Sequence, residues 1–204
     1  MSSDGSIVAI GGFLNDDGGN AAGHVRVYEY SSDGYGSSTW SQLGSDIDGE
    51  GAGNGSGKVV ALSADGSIVA IGNTSNSAST NLINSGSCRV YEYSSGSWTQ
   101  LGSDIDGENA GDLAGSSVDL SADGSIVAIG APWYSSPTYD KVGKASVYKY
   151  SSGTWSKIGS DIVGTDYYEV AGKSLALSAD GNTLILGSPD FDNETGRCRI
   201  FTYS

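Results

Sequence analysis

The sequence is poor in positive charge, in proline and in long apolar runs. Ten lysines and arginines face 24 acidic residues, so the formal net charge is −14. Nucleic acids and anionic membrane surfaces attract basic patches, and we therefore expect neither as a partner. No apolar run reaches the 18 residues that indicate a membrane-spanning helix, and no span is predicted. The first residues lack the basic start and apolar core of a signal peptide.

Residues that carry chemistry are scarce as well. The chain has one histidine and two cysteines, too few for a disulfide framework. It contains no phosphate-binding loop and no nucleophile-elbow motif. Paired carboxylates occur, but they lie in repeated loops, whereas an active site is normally unique. These absences predict a protein that is not an enzyme.

Repetition dominates what is present. The segment LSADGSIVAIG occurs at 62–72 and again at 120–130, and looser copies stand at 1–11 and 177–187. The Gly of the Asp-Gly pair falls at 5, 66, 124 and 181, so the copies are 61, 58 and 57 residues apart. A period of this length indicates an array of supersecondary units. We place one repeat domain over 1–204, with approximate repeats 1–56, 57–114, 115–171 and 172–204.

Each repeat reads as four short antiparallel strands. In the second copy they cover 57–63, 67–72, 88–94 and 98–105, and Asp-Gly between the first two is a strong hairpin signal. Segment 67–72 is apolar on both faces, and polarity rises towards the fourth strand, as in a blade whose inner strands are buried between neighbouring blades. No sustained helical periodicity occurs, so no helix is predicted.

The predicted fold is therefore an all-β β-propeller of four-stranded antiparallel blades, with about four blades. Met1 aligns with Leu62 and Ser204 with Ser94, so we expect incomplete first and last blades and 14 strands in all. A β-sandwich with internal duplication is the alternative. It accounts for regular strands but not for a four-strand period.

The segments "VALSADGSIVAIG" and "CRVYEYSSGSWTQLG" resemble propeller repeats of the WD-repeat and FG-GAP type. They are most similar to the tandem repeat "GHVRVYEY…W…LGSDIDGE…G…LSADGSIVAIG" of secreted and surface proteins from marine bacteria and algae. The resemblance covers almost the whole chain and implies the fold rather than an activity. The Trp-Asp pair and buried histidine of true WD repeats are missing, since strand three ends YEYS and the only histidine is His24.

Acidic loops are the candidate metal sites. The loop at 103–112 and its copy at 45–54 bring together carboxylates beside glycines, and hard cations such as Ca²⁺ bind oxygen atoms in such loops. FG-GAP repeats often carry a calcium loop, although theirs is longer and placed differently. The simpler interpretation is that Asp and Gly build the turn between blades. The candidate ligands are Asp104, Asp106, Glu108, Asp112, Asp46 and Asp48.

The variable loops between the second and third strands are the candidate binding loops. Two are acidic, one with Asn15, Asp16 and Asp17, the other with Asp190, Asp192 and Glu194. Another departs from the repeat pattern and forms a candidate contact loop of Trp133, Tyr134 and Tyr139. Three N-x-[ST] acceptors, Asn54, Asn73 and Asn193, are predicted to lie in loops and to be glycosylated if the source is eukaryotic.

Recurring residues have packing roles in this interpretation. Trp40, Trp98 and Trp155 start the fourth strand and close the blade edge, and the tyrosines of the third strand pack between blades. Cys88 and Cys198 occupy equivalent positions where the other copies have Val25 and Ala145. Both are predicted to be buried free thiols.

The function expected from these features is a non-enzymatic, extracellular or cell-surface structural or adhesive unit that assembles with itself or with sister repeats, as in a filament. The alternative is a lectin-like module that binds glycans or proteins through the variable loops.

Overall fold

The computed structural model describes residues 1–77 and 79–203, and these are almost entirely β-structure. Seventeen strands occur in this part of the chain. They are β1 (Ile7–Gly12), β2 (His24–Ser32), β3 (Ser38–Gln42), β4 (Ile47–Asp48), β5 (Val59–Leu62), β6 (Ile68–Asn73), β7 (Ser87–Ser94), β8 (Ser97–Gln100), β9 (Ile105–Asp106), β10 (Ser117–Leu120), β11 (Ile126–Ala131), β12 (Lys144–Ser151), β13 (Thr154–Lys157), β14 (Ile162–Val163), β15 (Ser174–Leu177), β16 (Thr183–Ser188) and β17 (Arg197–Thr202).

The strands form four antiparallel sheets, in the orders β1-β2-β3, β5-β6-β7-β8, β10-β11-β12-β13 and β15-β16-β17. This confirms the predicted all-β propeller blades and the series of three, four, four and three strands. The sequence did not indicate the two-residue strands β4, β9 and β14, which pair with the start of β2, β7 and β12. Each sheet falls within one predicted repeat. The assignment to a single domain stays a prediction, and Ser204 lies outside the described residues.

The prediction of no helix is wrong at one place. The four residues Phe191–Glu194 form α1, and two of them, Asp192 and Asn193, have left-handed rather than helical backbone angles. A single distorted turn of this length leaves no periodic pattern in a sequence. No helix of the described residues is long and apolar enough to cross a membrane.

A network of side-chain hydrogen bonds explains why the same residues recur in the turn of each eleven-residue repeat. In the second copy the Ser63 hydroxyl donates to Asp65 at 2.7 Å and accepts the backbone N–H of Ile68 at 2.9 Å. Asp65 also accepts the backbone N–H and the hydroxyl of Ser67. The same network recurs around Asp4, Asp123 and Asp180, with Asn182 in the place of the second serine in the last copy.

These turns also join each sheet to the next. A backbone hydrogen bond runs from Ser3 to Ala64, another from Ala64 to Ala122, and a third from Ala122 to Ala179. Beside them, the first strand of each later sheet packs on the sheet before it: β5 contacts β1, β10 contacts β6 and β15 contacts β11. The inner strands β5, β10 and β15 thus follow one another along the array.

The core lies between the sheets rather than within them. Three apolar clusters fill the three gaps. Val27, Val90 and Val147 hold equivalent positions on the third strand of their sheets, and each is about 1% exposed. Trp98 and Trp155 seal the outer edge of a gap, because each indole N–H donates to a backbone carbonyl of the preceding sheet, at 2.8 and 2.7 Å.

The outward faces of the first and last sheets are exposed among the described residues. Ile10 is 56% and Ile200 is 67% exposed, although their equivalents inside the array are buried. Cys198 is exposed for the same reason, whereas Cys88 is buried. The prediction of a buried Cys198 is therefore wrong, because no sheet packs on that face of β17 within the described structure.

Candidate functional site

A surface cleft of about 450 Å³ lies where two loops of the last two sheets meet. One loop follows β14, and the other contains α1 between β16 and β17. The lining is acidic and aromatic. It consists of Asp166, Tyr167, Tyr168, Asp190, Asp192, Asn193 and Glu194.

The backbone around this cleft is unusual. Tyr168, Asp192, Asn193 and Glu194 all have positive φ, between 50° and 67°. Non-glycine residues adopt such angles infrequently, and they concentrate at binding and active sites, where the surroundings hold them in place. One such restraint is the hydrogen bond from the Tyr168 N–H to the carbonyl of Asp140, at 3.0 Å.

The aromatic contact loop predicted from the sequence adjoins this cleft. The ring of Tyr139 meets that of Tyr167 edge-on, with centroids 4.8 Å apart. The Lys141 ammonium lies 4.4 Å from the centroid of the Trp133 ring and 5.8 Å from that of Tyr168. Trp133 itself is 45% exposed. Rings from two loops therefore form a continuous wall with one cation among them.

Tyr134 does not take part in this wall. Its ring packs against the cluster between the second and third sheets, and the Lys144 ammonium lies 4.5 Å from the ring centroid. Of the three predicted contact-loop residues, Trp133 and Tyr139 thus adjoin the cleft, while Tyr134 packs on the core between the second and third sheets.

Glu169 anchors the loop that carries Tyr167 and Tyr168. It is fully buried, and its carboxylate accepts hydrogen bonds from the Thr165 N–H, the Ser188 hydroxyl and the guanidinium groups of Arg197 and Arg199. Burial opposes its ionisation, but these donors outweigh burial and lower its pKa below the ordinary value. A buried carboxylate held by these four donor groups acts as a rigid support for the loop.

Sequence reasoning missed Glu169 and the two tyrosines of this loop as site residues. The one signal available was a departure: the third copy has SDIVGTDYYE where the earlier copies have SDIDGENAGD and SDIDGEGAGN. A lost acid and two new aromatic residues at an equivalent position mark a loop that differs from its neighbours.

The predicted calcium ligands have other partners. Glu108 accepts hydrogen bonds from Lys144 at 2.6 Å and Lys157 at 2.9 Å, and these bonds lower its pKa. The Asp104 carboxylate accepts one from Gln100 at 2.8 Å. Asp112 is buried and accepts the N–H of Asn109, so its oxygen atoms close a turn.

The remaining predicted ligands lie apart from these. Asp48 and Asp106 are exposed at the ends of β4 and β9, and Asp46 is held by Arg26. Within the described ranges, the six acids do not supply a group of three carboxylates within ligand distance of one another. Calcium binding by these loops stays a prediction.

The three glycosylation acceptors differ in position. Asn54 lies in a loop and Asn193 is exposed in α1, at the cleft. Asn73 is the last residue of β6 and is 1% exposed, so its predicted loop position is wrong. Its side chain is inaccessible in the folded protein because it lies beside the buried Ser87 hydroxyl. Glycosylation of Asn54 and Asn193 stays a prediction.

Comparison with family models and with curated protein sequences finds no match. Many solved structures are similar in fold, and two of them are described here. The periplasmic gluconolactonase of Pseudomonas aeruginosa is 15% identical, with a TM-score of 0.53, and the match covers 97% of this chain and 50% of that one. A putative 6-phosphogluconolactonase from Bacteroides fragilis is 13% identical, with a TM-score of 0.51, over 100% of this chain and 54% of that one.

At this identity the likeness shows the fold, which is propeller-like in both cases. The chain spans about half the length of these two structures. The two matching propellers are described as lactonases. They contradict the predicted non-enzymatic structural or adhesive role in a filament and the expectation that the chain is not an enzyme.

Proposed function

We propose that this chain is part of a hydrolase that acts on sugar lactones, and that the acidic and aromatic cleft binds the substrate. The observation that carries the proposal is the composition of the cleft, in which exposed tyrosine rings and four carboxylates surround about 450 Å³. The two lactonase-type propellers of similar fold support the reaction class.

The residues of the cleft suit a small polyhydroxylated ligand. Tyr167 and Tyr168 are 56% and 54% exposed, so their ring faces are available to the C–H faces of a sugar ring. Carboxylate oxygens accept hydrogen bonds from hydroxyl groups. Asp190 and Asp192, on the other loop of the cleft, supply such oxygens.

Lactone hydrolysis requires a base and an electrostatic partner. Water attacks the carbonyl carbon and gives a proton to the base; the ring C–O bond then breaks, and the leaving oxygen takes up a proton. Asp190 or Asp192 would be the base. Lys141, whose ammonium lies close to the rings of Trp133 and Tyr168 beside the cleft, would stabilise the negative charge that develops on the carbonyl oxygen.

The charge of the cleft favours a neutral lactone over a phosphorylated one. Four carboxylates line it, and the chain as a whole carries a net charge of −14. A phosphate group would bring about two further negative charges into this field, and like charges repel. We therefore expect glucono-1,5-lactone to be preferred over its 6-phosphate.

Titration of the acid released from each lactone by the purified 204-residue chain tests this function. We expect hydrolysis above the spontaneous rate, and a loss of at least tenfold in Asp190→Asn and Asp192→Asn. Glu92→Gln, which removes an exposed acid on a strand, is the matched control and should keep the rate. Binding of the lactone without hydrolysis, or equal rates in all variants, would contradict the proposal.

We further propose that the protein is exported and, more specifically, that it is located outside the cell or at the cell surface. The support is the periplasmic location of the similar gluconolactonase. Detection of the natural protein only in the cytoplasmic fraction of its source cell would contradict it.

Assignment of the repeats to the WD or FG-GAP type is likewise a proposal, supported by the four related copies of LSADGSIVAIG.

A further inference from the structure

We infer that Asp17, His24 and Asp46, on the first sheet, form a binding site for a transition-metal ion of the Zn²⁺ class. One ligand atom from each residue lies within 4.8 Å of the other two. The Nδ1 atom of His24 and the Oδ2 atom of Asp46 are 3.3 Å apart. The site is separate from the cleft of the last two sheets.

The state of His24 is the observation that points to a ligand. The residue is 8% exposed, and its Nδ1 atom is buried with no hydrogen-bond partner. A buried polar atom without a partner is costly, and each one needs an explanation. Here the nitrogen faces a carboxylate oxygen without hydrogen-bond geometry, so two electron-rich atoms lie side by side. A cation between them would give the imidazole nitrogen its missing partner, whereas the carboxylate oxygen already accepts hydrogen bonds from Arg26.

In two of the three other sheets the residue equivalent to His24 carries a fixed positive charge, and in the second sheet it is Ser87. The residue equivalent to His24 is Lys144 in the third sheet, and its ammonium lies 3.4 Å from Asp161, the equivalent of Asp46. In the fourth sheet the equivalent residue is Arg197, which pairs with Glu169. His24 provides a lone pair instead of a fixed positive charge, and a bound metal ion would supply that charge.

The donor set indicates the class of metal. Zn²⁺ binds imidazole nitrogen at about 2.0–2.1 Å and carboxylate oxygen at about 2.0–2.2 Å, usually in a tetrahedron. Two ligands at such distances are about 3.3–3.5 Å apart, which is the separation of the His24 and Asp46 atoms. Ca²⁺ and Mg²⁺ prefer oxygen ligands alone, so the imidazole disfavours them.

The surroundings hold Asp46 in position, whereas Asp17 is exposed to solvent. Arg26 and Gln42 hold the Asp46 carboxylate, with the Arg26 Nη2 atom 2.7 Å from Oδ2. Arg26 repels a second cation as well, and it therefore limits the affinity. Asp17 lies on the loop after β1, and its carboxylate is within 4.8 Å of the other two ligand atoms.

Calorimetric titration of Zn²⁺ into the chelator-treated 204-residue chain tests the inference. We expect one ion per chain, and at least tenfold weaker binding in His24→Ala and in Asp17→Asn. Asp17→Asn changes an exposed loop residue, so it keeps the test valid if His24→Ala fails to fold. Asp104→Asn is the matched control, because Asp104 is the equivalent of Asp46 in a repeat that has Ser87 in the place of His24.

Co²⁺ provides a second readout that is independent of activity. In a site with imidazole and carboxylate ligands it should give visible absorption of tetrahedral or five-coordinate type, and His24→Ala should abolish this absorption. The inference is wrong if Zn²⁺ does not bind, if both site variants bind as tightly as the unchanged chain, or if Asp104→Asn weakens binding to the same extent.

Discussion

The burial and reactivity of a single side chain in this protein depend on whether it lies between two sheets or on an outward face. Cys88 and Cys198 occupy equivalent strand positions, yet one is buried between two sheets and the other is exposed. Burial raises the pKa of the Cys88 thiol to about 12. Since the thiolate is the reactive form, the same residue type at the same repeat position has opposite reactivity.

We expect one thiol of the native chain to react with a neutral alkylating reagent at pH 8, and peptide mapping to place the label on Cys198. Unfolding in guanidinium should release Cys88 for labelling. Cys198→Ser is the control and should leave the native chain unlabelled. Rapid labelling of Cys88 in the native state would contradict the burial described above.

The turn aspartates make stability depend on pH. Hydrogen bonds from neighbouring serines lower the pKa of Asp4 to about 2, with Ser6 the main donor, and that of Asp123, with Ser121 the main donor. A carboxyl group whose pKa is lower in the folded state adds stability above its unfolded pKa of about 3.9, and this stability is lost as the pH falls. Urea unfolding should therefore show falling stability between about pH 4 and pH 2.

The variant Asp123→Asn should weaken this dependence, because it removes one titrating group and keeps the shape of the side chain. Glu92→Gln is the control, since that exposed residue lies outside the turns. A free energy of unfolding that stays constant from pH 5 to pH 2 would show that folding does not stabilise the ionised form of the turn aspartates.

Elements are joined by glycines that receive a side chain from the preceding repeat. A Cβ atom on Gly124 would lie 2.5 Å from the Cδ1 atom of Ile68, and one on Gly181 would lie 2.4 Å from that of Ile126. The Asp-Gly turn of each later blade therefore packs directly on the first isoleucine of the blade before it. This contact explains why the Gly and the Ile of DGSI recur together.

Gly124→Ala should destabilise the protein much more than Gly153→Ala. Both glycines have positive φ, at 69° and 84°, but no atom lies within 4 Å of a Cβ on Gly153. The control thus measures the backbone cost alone, about 1–2 kcal/mol, and the steric contact should add about 1–3 kcal/mol in Gly124→Ala.

Chemical denaturation of the two variants gives this comparison. Ile68→Val combined with Gly124→Ala should recover part of the loss, since it shortens the contacting side chain. Equal destabilisation by the two alanines would mean that the packing of turn on isoleucine contributes nothing.

At the scale of the whole molecule, stability comes from the apolar clusters between neighbouring sheets. In the described structure, the outward faces of the first and last sheets have no such cluster. Val147 is 1% exposed and Ile200 is 67% exposed, although they stand at equivalent places in β12 and β17. The free energy gained from an apolar side chain depends on the area removed from water, so these two residues contribute unequally.

We expect Val147→Ala to destabilise the chain by about 2–3 kcal/mol, because it leaves a cavity in the core. Ile200→Ala should cost less than about 1 kcal/mol, since most of that side chain is already in water. Thermal and urea unfolding of the isolated chain provide the measurement, with Val90→Ala as a second buried position. A larger loss for Ile200 than for Val147 would show that the outward face of the last sheet is covered in solution.

The sequence by itself determined the blades of this protein, because their determinants are local and repeated. The Ser-x-Asp-Gly turn, the doubly apolar second strand and the third strand of alternating character occur within about 40 residues, and the strand series followed from them. Tertiary structure alone decided which loops meet. Asp166 and Asp190 are in different repeats, and only the packing of the last two sheets brings them to one cleft.

Tertiary structure also determined which side chains are buried at the two ends of the array and which polar side chains lie next to each other. Cys198 reads like Cys88 in the sequence, and its exposure depends on the absence of a neighbouring sheet in the described structure. Likewise, the sequence shows His24 as a single histidine and does not indicate which residue lies next to it. Its position beside Asp46 arises because β2 and the loop before β4 converge, and contacts between distant segments leave no pattern in a single sequence.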